Sequence, residues 1–446
     1  MHASAGLTTV IHEVRPYLGE GVRGRLTMPA DRLCAVVADP APVGTDPWWR
    51  EVARLGTPLR VPGPGGTDLT LFLHRSADAA AVYLDVRPFT DLEPADGLME
   101  RVPGTDIWWA AYATGPEWVS GYGFVELDEV PAVPGPDAAA RATWRGRLGT
   151  TVADPLNAVP AHRGERGGSW SVARGPRALR RPVPRGDDAR GVLERHVWGR
   201  AGQERPVWTY VPAGAADAGL ALPLVLLHDG AAWAEQRDAA GLFDALVARR
   251  DLPLFVGVLV GPPDQATPGA APPRAAGAAP EAAPPGAGRP GPDGSPSCDA
   301  LADDLLPDVT RRLAARGVAV TADPALTVVV GQRLGGLAAL QAVRHRPDRF
   351  GHAVGQSASL PRPDAETAAW LRAAPRGAGR VVLQVGTHED AAGASRAVRD
   401  LLRARGEHVE LGEVDGSDDG VWWSAHLGQG LADALGDDWR ALRYAG

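Results

Sequence analysis

Lysine is missing from this chain of 446 residues, and all 46 basic residues are arginines. With 55 glycines and 41 prolines, that bias reads as GC-rich coding rather than a functional signature. Cysteine is nearly absent. Cys34 and Cys298 lie far apart and neither has metal-ligand spacing, so no metal site is expected and a reducing compartment is the default. No apolar run reaches the length of about 18 residues that a membrane-spanning helix needs. The first twenty residues carry His12, Glu13, Arg15 and Glu20 and lack the apolar segment of a secretory signal. The expected location is therefore cytoplasmic. The net charge of -8 removes the clustered cation excess that a nucleic-acid partner would require.

What is present is enough apolar material, 44% of residues, for sizeable cores. The length suits two domains rather than one. In the first part, Leu69–His74, Ala81–Val86 and Trp118–Val125 are short and rich in β-formers, with turn clusters at Val61–Gly66 and Pro103–Asp106. That punctuation predicts a small β-sandwich over residues 1–160. Residues 161–190 are rich in Gly, Pro and Arg and read as a linker. From 191 to 446 the pattern alternates. Apolar runs at Leu222–Leu227, Leu252–Val260, Leu326–Val330 and Arg380–Gln384 suit a sheet covered on both faces. Helical patterns near Gly241–Arg250, Leu301–Arg316, Gly335–Arg346 and Ser395–Arg405 lie between them, so a mostly parallel α/β sheet is predicted. Residues 262–296 are dominated by Pro, Ala and Gly and are expected to be a disordered insert.

The chemistry-bearing segment is Val328-Val-Val-Gly-Gln-Arg-Leu-Gly-Gly336. It reads as a strand, a glycine-flanked turn and a helix: the frame of a nucleophile elbow, Gly-x-Ser-x-Gly, with Arg333 in the place of serine. It is not a phosphate loop, because the Gly-Lys-Ser/Thr ending is missing, and no cofactor is expected.

Several segments together resemble the enterochelin esterases, which cleave the trilactone of ferric catecholate siderophores. In the front half these are Arg101–Trp108, Gly115-Pro-Glu-Trp118 and Ala153-Asp-Pro-Leu-Asn157. In the back half they are Leu227-His-Asp-Gly-Ala-Ala-Trp233, Gly331–Gly336, Arg346–Gly351 running to Gly355-Gln-Ser357, Val414–Asp419, Trp423 and Gly428-Gln-Gly430. The resemblance implies an immunoglobulin-like N-terminal domain followed by an α/β-hydrolase domain, and a siderophore or related acylated small molecule as partner, with no nucleic acid or membrane. It places the nucleophile at Arg333, the general base at Asp418 and the triad acid at Glu389. Backbone amides at Gly230, Ala231 and Leu334 become the frame of an oxyanion hole.

Two of the three triad positions thus carry the wrong chemistry. Acyl transfer at serine needs an imidazole to take the hydroxyl proton and return it to the leaving alcohol. A guanidinium stays protonated and attacks nothing. Arg333 and Asp418 are instead expected to form an ion pair with Glu389 nearby, since an unpaired buried charge costs several kcal/mol. The other reading is an active ester hydrolase with displaced groups: His388 or His426 as base, Ser357 or Ser417 as nucleophile. The pairs Trp48-Trp49 and Trp108-Trp109, with Trp118, are read as packing residues, the alternative being stacking on catechol rings.

Overall fold

The structure is a computed structural model that describes residues 24–26, 42–62, 68–134, 138–163, 168–199, 204–262, 296–360 and 379–443. The first twenty residues, Cys34 and all but the end residues of the 262–296 insert lie outside the described residues. The chain divides into two compact units. The first takes the described residues up to Leu179 together with a return segment, Asp415–Val421; the second takes the remainder.

Two antiparallel sheets form the first unit. One runs in the order β1 (Gly24–Leu26), β6 (Ile107–Thr114), β3 (Asp68–Arg75), β2 (Leu59–Pro62), with β5 (Glu100–Arg101) also on β6. The other runs β4 (Ala81–Val86), β7 (Val119–Leu127), β9 (Ser169–Arg174), β8 (His162–Arg163). Alternation along β3 and β6 explains why both are buried on each face. Phe72, Trp108, Ala110 and Tyr112 point to the second sheet, where they meet Val82, Leu84, Tyr122 and Phe124. Leu69, Leu71, Leu73, Trp109 and Ala111 point the other way, against Trp48, Trp49 and Val52 of helix α1 (Asp46–Leu55). The tryptophans expected to be packing residues are buried, Trp118 among them.

The linker reading is corrected at two places, His162–Arg163 (β8) and Ser169–Arg174 (β9), both strands of the second sheet. Ser169–Arg174 is a strand registered against Val119–Tyr122, with Ser171, Val172 and Ala173 buried. A six-residue strand among glycines, prolines and arginines was hidden by the composition around it.

In the second unit eight strands form one sheet in the order β10 (Val192–Trp198), β11 (Arg205–Val211), β13 (Val256–Val260), β12 (Leu224–Leu227), β14 (Thr327–Gln332), β15 (His352–Gln356), β16 (Arg380–Gly386), β17 (His408–Val414). From β13 to β17 every pairing is parallel; β10 and β11 join antiparallel. Each apolar run feeds two layers, as parallel strands require. Leu224, Leu226, Val329 and Leu383 pack beneath α5 (Leu306–Ala314), α6 (Leu334–His345) and α7 (Ala391–Ala404). Val225, Leu227, Val330 and Val382 pack against α4 (Ala239–Ala248) and α8 (Gly420–Arg443). No helix among the described residues is long and apolar enough to cross a membrane.

Candidate active site

The turn between β14 and α6 is an elbow in its backbone as well as its sequence. Arg333 holds φ 49° and ψ −118°, a conformation that costs a non-glycine residue roughly 1–3 kcal/mol. Four hydrogen bonds hold it there. Its N–H donates to Gln356 O at 3.1 Å, and its carbonyl accepts from Gly336, Leu337 and Ser359 N–H at 3.1, 3.2 and 2.9 Å. The flanking glycines are steric necessities. A Cβ on Gly331 would lie 2.1 Å from the Gly335 carbonyl carbon, and one on Gly335 would lie 2.9 Å from His228 Cβ. The second contact also shows that the loop after β12 abuts the first turn of α6. Gly230 in that loop is equally constrained, 2.6 Å from the Leu259 carbonyl carbon, and Asp229 before it has φ 57°. Ala231 lies in the helical turn that follows β12, and Leu334 is the first residue of α6.

The Arg333 guanidinium lies over the buried indole of Trp423, 5.1 Å from its centroid. Arg237 shares that ring at 5.3 Å and also lies 5.3 Å from the ring of Trp233. Each such contact stabilises by about 0.5–2 kcal/mol depending on desolvation. Arg237 follows the π-helical turn Ala232–Gln236. Trp233 stands four residues before it, but Trp423 comes from a distant part of the chain, so the shared ring was not announced by the sequence.

Glu389 sits in the turn after β16. Its Oε1 accepts from Ser357 Oγ and from Gly386 N–H, both at 2.8 Å. Ser357 in turn accepts from Trp423 Nε1 at 2.8 Å and has φ 46°. Glu389, Ser357, Trp423 and Arg333 therefore form one connected group. Ser357 is only 3% exposed and its one proton is given to Glu389. His388 lies half-buried in the same turn as Glu389. On α8, the half-buried His426 packs edge-on to Trp422 at 5.9 Å, and burial holds its imidazole below the usual pKa.

Beneath the elbow runs a chain of buried amides that the sequence reading missed. Trp233 Nε1 donates to Gln332 Oε1 at 2.9 Å, Gln332 Nε2 to Gln356 Oε1 at 2.8 Å, and Gln356 Nε2 to Gln384 Oε1 at 2.8 Å. Gln356 also donates to the Trp423 carbonyl at 3.0 Å, and Gln384 to the His426 carbonyl at 3.1 Å. The three glutamines are direct register partners on β14, β15 and β16.

Asp418 belongs to the return segment of the first unit. Its carbonyl accepts from Arg87 Nη1 at 2.5 Å, while Asp419 accepts from the Gly121 and Val421 amides. Burial opposes the charge on Arg87, but Asp91, Asp418, Asp419 and Asp85 together hold its pKa above the ordinary arginine value. Ser417 in the same segment is buried. The Arg333–Asp418 ion pair expected from the sequence would join residues of different units and remains a proposal. No group of three histidine, cysteine, aspartate or glutamate side chains fit to hold a metal occurs among the described residues.

A mostly parallel sheet with helices on both faces, and a strained elbow between its central strand and the next helix, define an α/β-hydrolase-type domain that follows a β-sandwich in the sequence. Residues 69–183 match the family described as "Enterochelin esterase, N-terminal", and residues 199–434 match "Putative esterase". The iron(III) enterobactin esterase of Escherichia coli K12 is 30% identical over 354 residues, which is 75% of this chain and 81% of that protein. Its counterpart in Dickeya dadantii is 29% identical over 357 residues, covering 74% and 75%. The enterobactin esterase of Shigella flexneri, crystallised in the presence of enterobactin, has the same fold. It aligns with a TM-score of 0.71 at 26% identity, over 90% of this chain and 100% of that one. The chain belongs to the enterochelin esterase family.

Proposed function

We propose that this protein is a cytoplasmic enterochelin esterase homologue that has lost hydrolysis and binds an anionic ferric siderophore or a related acylated metabolite. The observation that carries the reading is Arg333, held at the apex of the elbow with its guanidinium over Trp423. In an ester hydrolase that apex presents a hydroxyl or thiol to the substrate carbonyl. A guanidinium has no lone pair to offer, and Asp418 at the base position is too weak a base at neutral pH to replace an imidazole. What the frame retains is an oxyanion-type set of amides and a cation, which together favour anions. Purified protein incubated with a ferric catecholate trilactone and with a simple aryl ester should release no product above the buffer rate. Steady turnover of either would refute the proposal.

One observation favours a second reading. Ser357 Oγ already donates to the carboxylate of Glu389, and a hydroxyl aimed at a carboxylate is half of a catalytic pair. Its burial, and the Trp423 N–H that occupies a lone pair of Oγ, weigh against attack on a substrate. Should turnover be found, Ser357→Ala would have to abolish it.

A further inference from the structure

We infer that the end of α6 remote from the elbow carries a buried site for a small monovalent inorganic anion, chloride being the abundant example, seated on the Arg344 guanidinium. Arg344 lies in the last turn of α6, and only 2% of its side chain is exposed. Its Nη2 donates to Oε2 of Glu407 at 2.8 Å, in the turn between α7 and β17. Its Nε and Nη1 are also buried, and among the described residues neither meets an acceptor. Buried donors nearly always find a partner. One that finds none within the chain calls for a water or an ion.

Charge decides between the two. The Glu407 side chain is 5% exposed and serves two arginines, since its Oε1 accepts from Arg405 Nε at 2.6 Å. Arg344 therefore shares its carboxylate with a second cation. Burial disfavours the charge on Arg344 and holds its pKa below the ordinary arginine value; Glu407 opposes this and Arg405 adds to it. A guanidinium does not shed its proton to escape. A water would satisfy the donors without changing the charge, whereas an anion does both. The surroundings choose the class of anion. Leu340 stands one turn before Arg344 on the same face of α6, and the Leu402 carbonyl accepts from Glu407 N–H at 3.1 Å; both leucines are fully buried. Sulfate or phosphate, doubly charged and strongly hydrated, would lose far more hydration there than a halide. Arg333 and Arg344 stand at opposite ends of one helix, so the site is separate from the elbow and independent of ester hydrolysis.

The test is urea denaturation of the full chain as sodium chloride replaces sodium gluconate at constant ionic strength. One bound chloride should raise the folded-to-unfolded ratio, by up to about tenfold for each tenfold rise in chloride. Arg344→Met keeps an apolar stem and removes the donors, so this dependence should vanish. Glu407→Gln removes the competing negative charge, so the dependence should begin at lower chloride. Crystals of the unmodified protein soaked in sodium bromide supply a readout that needs no variant: the anomalous signal should place bromide against Arg344 Nε or Nη1. Equal urea midpoints in chloride and gluconate would leave water as the partner of these donors and overturn the inference. A chloride dependence that survives Arg344→Met, or bromide absent from this guanidinium, would overturn it as well.

Discussion

At the scale of single residues, the elbow was legible because its glycines answer to geometry rather than to chemistry. Gly331 and Gly335 persist around an arginine because strand and helix still cross at contact distance. Gly331→Ala should therefore cost about 3 kcal/mol or more in urea denaturation, the upper range for overpacking, because the clash is with backbone. Gly393 lies inside α7, with nothing within 4 Å of the place a Cβ would take. Its change to alanine should stabilise the protein by about 0.5–1 kcal/mol. Equal responses at the two sites would contradict the steric account of the elbow. Arg237 was not legible as a partner of Trp423, because that contact depends on the fold bringing distant segments together.

At the scale of elements, the amide chain ties three strand ends to the π-helical turn and to α8. Each glutamine both accepts from the preceding donor and donates onward, so removing the middle one strands its neighbours. Gln356→Leu leaves the Gln332 amide, Gln384 Oε1 and the Trp423 carbonyl without that partner. At roughly 1–3 kcal/mol per buried unsatisfied group, a loss of about 3 kcal/mol or more is expected by denaturant titration. A loss under about 1 kcal/mol would mean that the neighbours find other partners. The sequence hid this network because glutamines on separate strands show no spacing until the register is known. Their neighbours Arg333 and Ser357, by contrast, fall in motifs that can be read directly.

A pH effect belongs to α8. Burial disfavours the imidazolium of His426, so its folded-state pKa lies below the ordinary 6.5. Protonation then favours the unfolded chain, and its contribution to stability is full above 6.5 and declines as pH falls below it. Urea midpoints measured at about pH 8 and about pH 5.5 should differ less in His426→Gln than in the unmodified protein. An unchanged difference would show that His426 contributes nothing to the acid limb.

At the scale of the whole molecule, most of the architecture was legible because both units are built from strands with strong burial patterns. The parallel strands are unbroken apolar runs, and the sandwich strands are short β-rich segments between turns. Two features were not. Helix α1 covers the outer face of the first sheet, yet lies in a stretch read only for its tryptophans. Strand β9 was submerged in a segment whose composition resembles a linker. Composition averages over a window, whereas a strand needs only a few alternating residues.

The most direct test of the account is hydrolysis of a ferric catecholate trilactone by the unmodified protein beside a variant combining Arg333→Ser with Asp418→His. On the proposed reading, in which the elbow and oxyanion frame are kept and only the catalytic pair differs, the unmodified protein gives no turnover and the double variant gives measurable release of the acid. Turnover by the unmodified protein, at a rate that the double substitution does not raise, would contradict it.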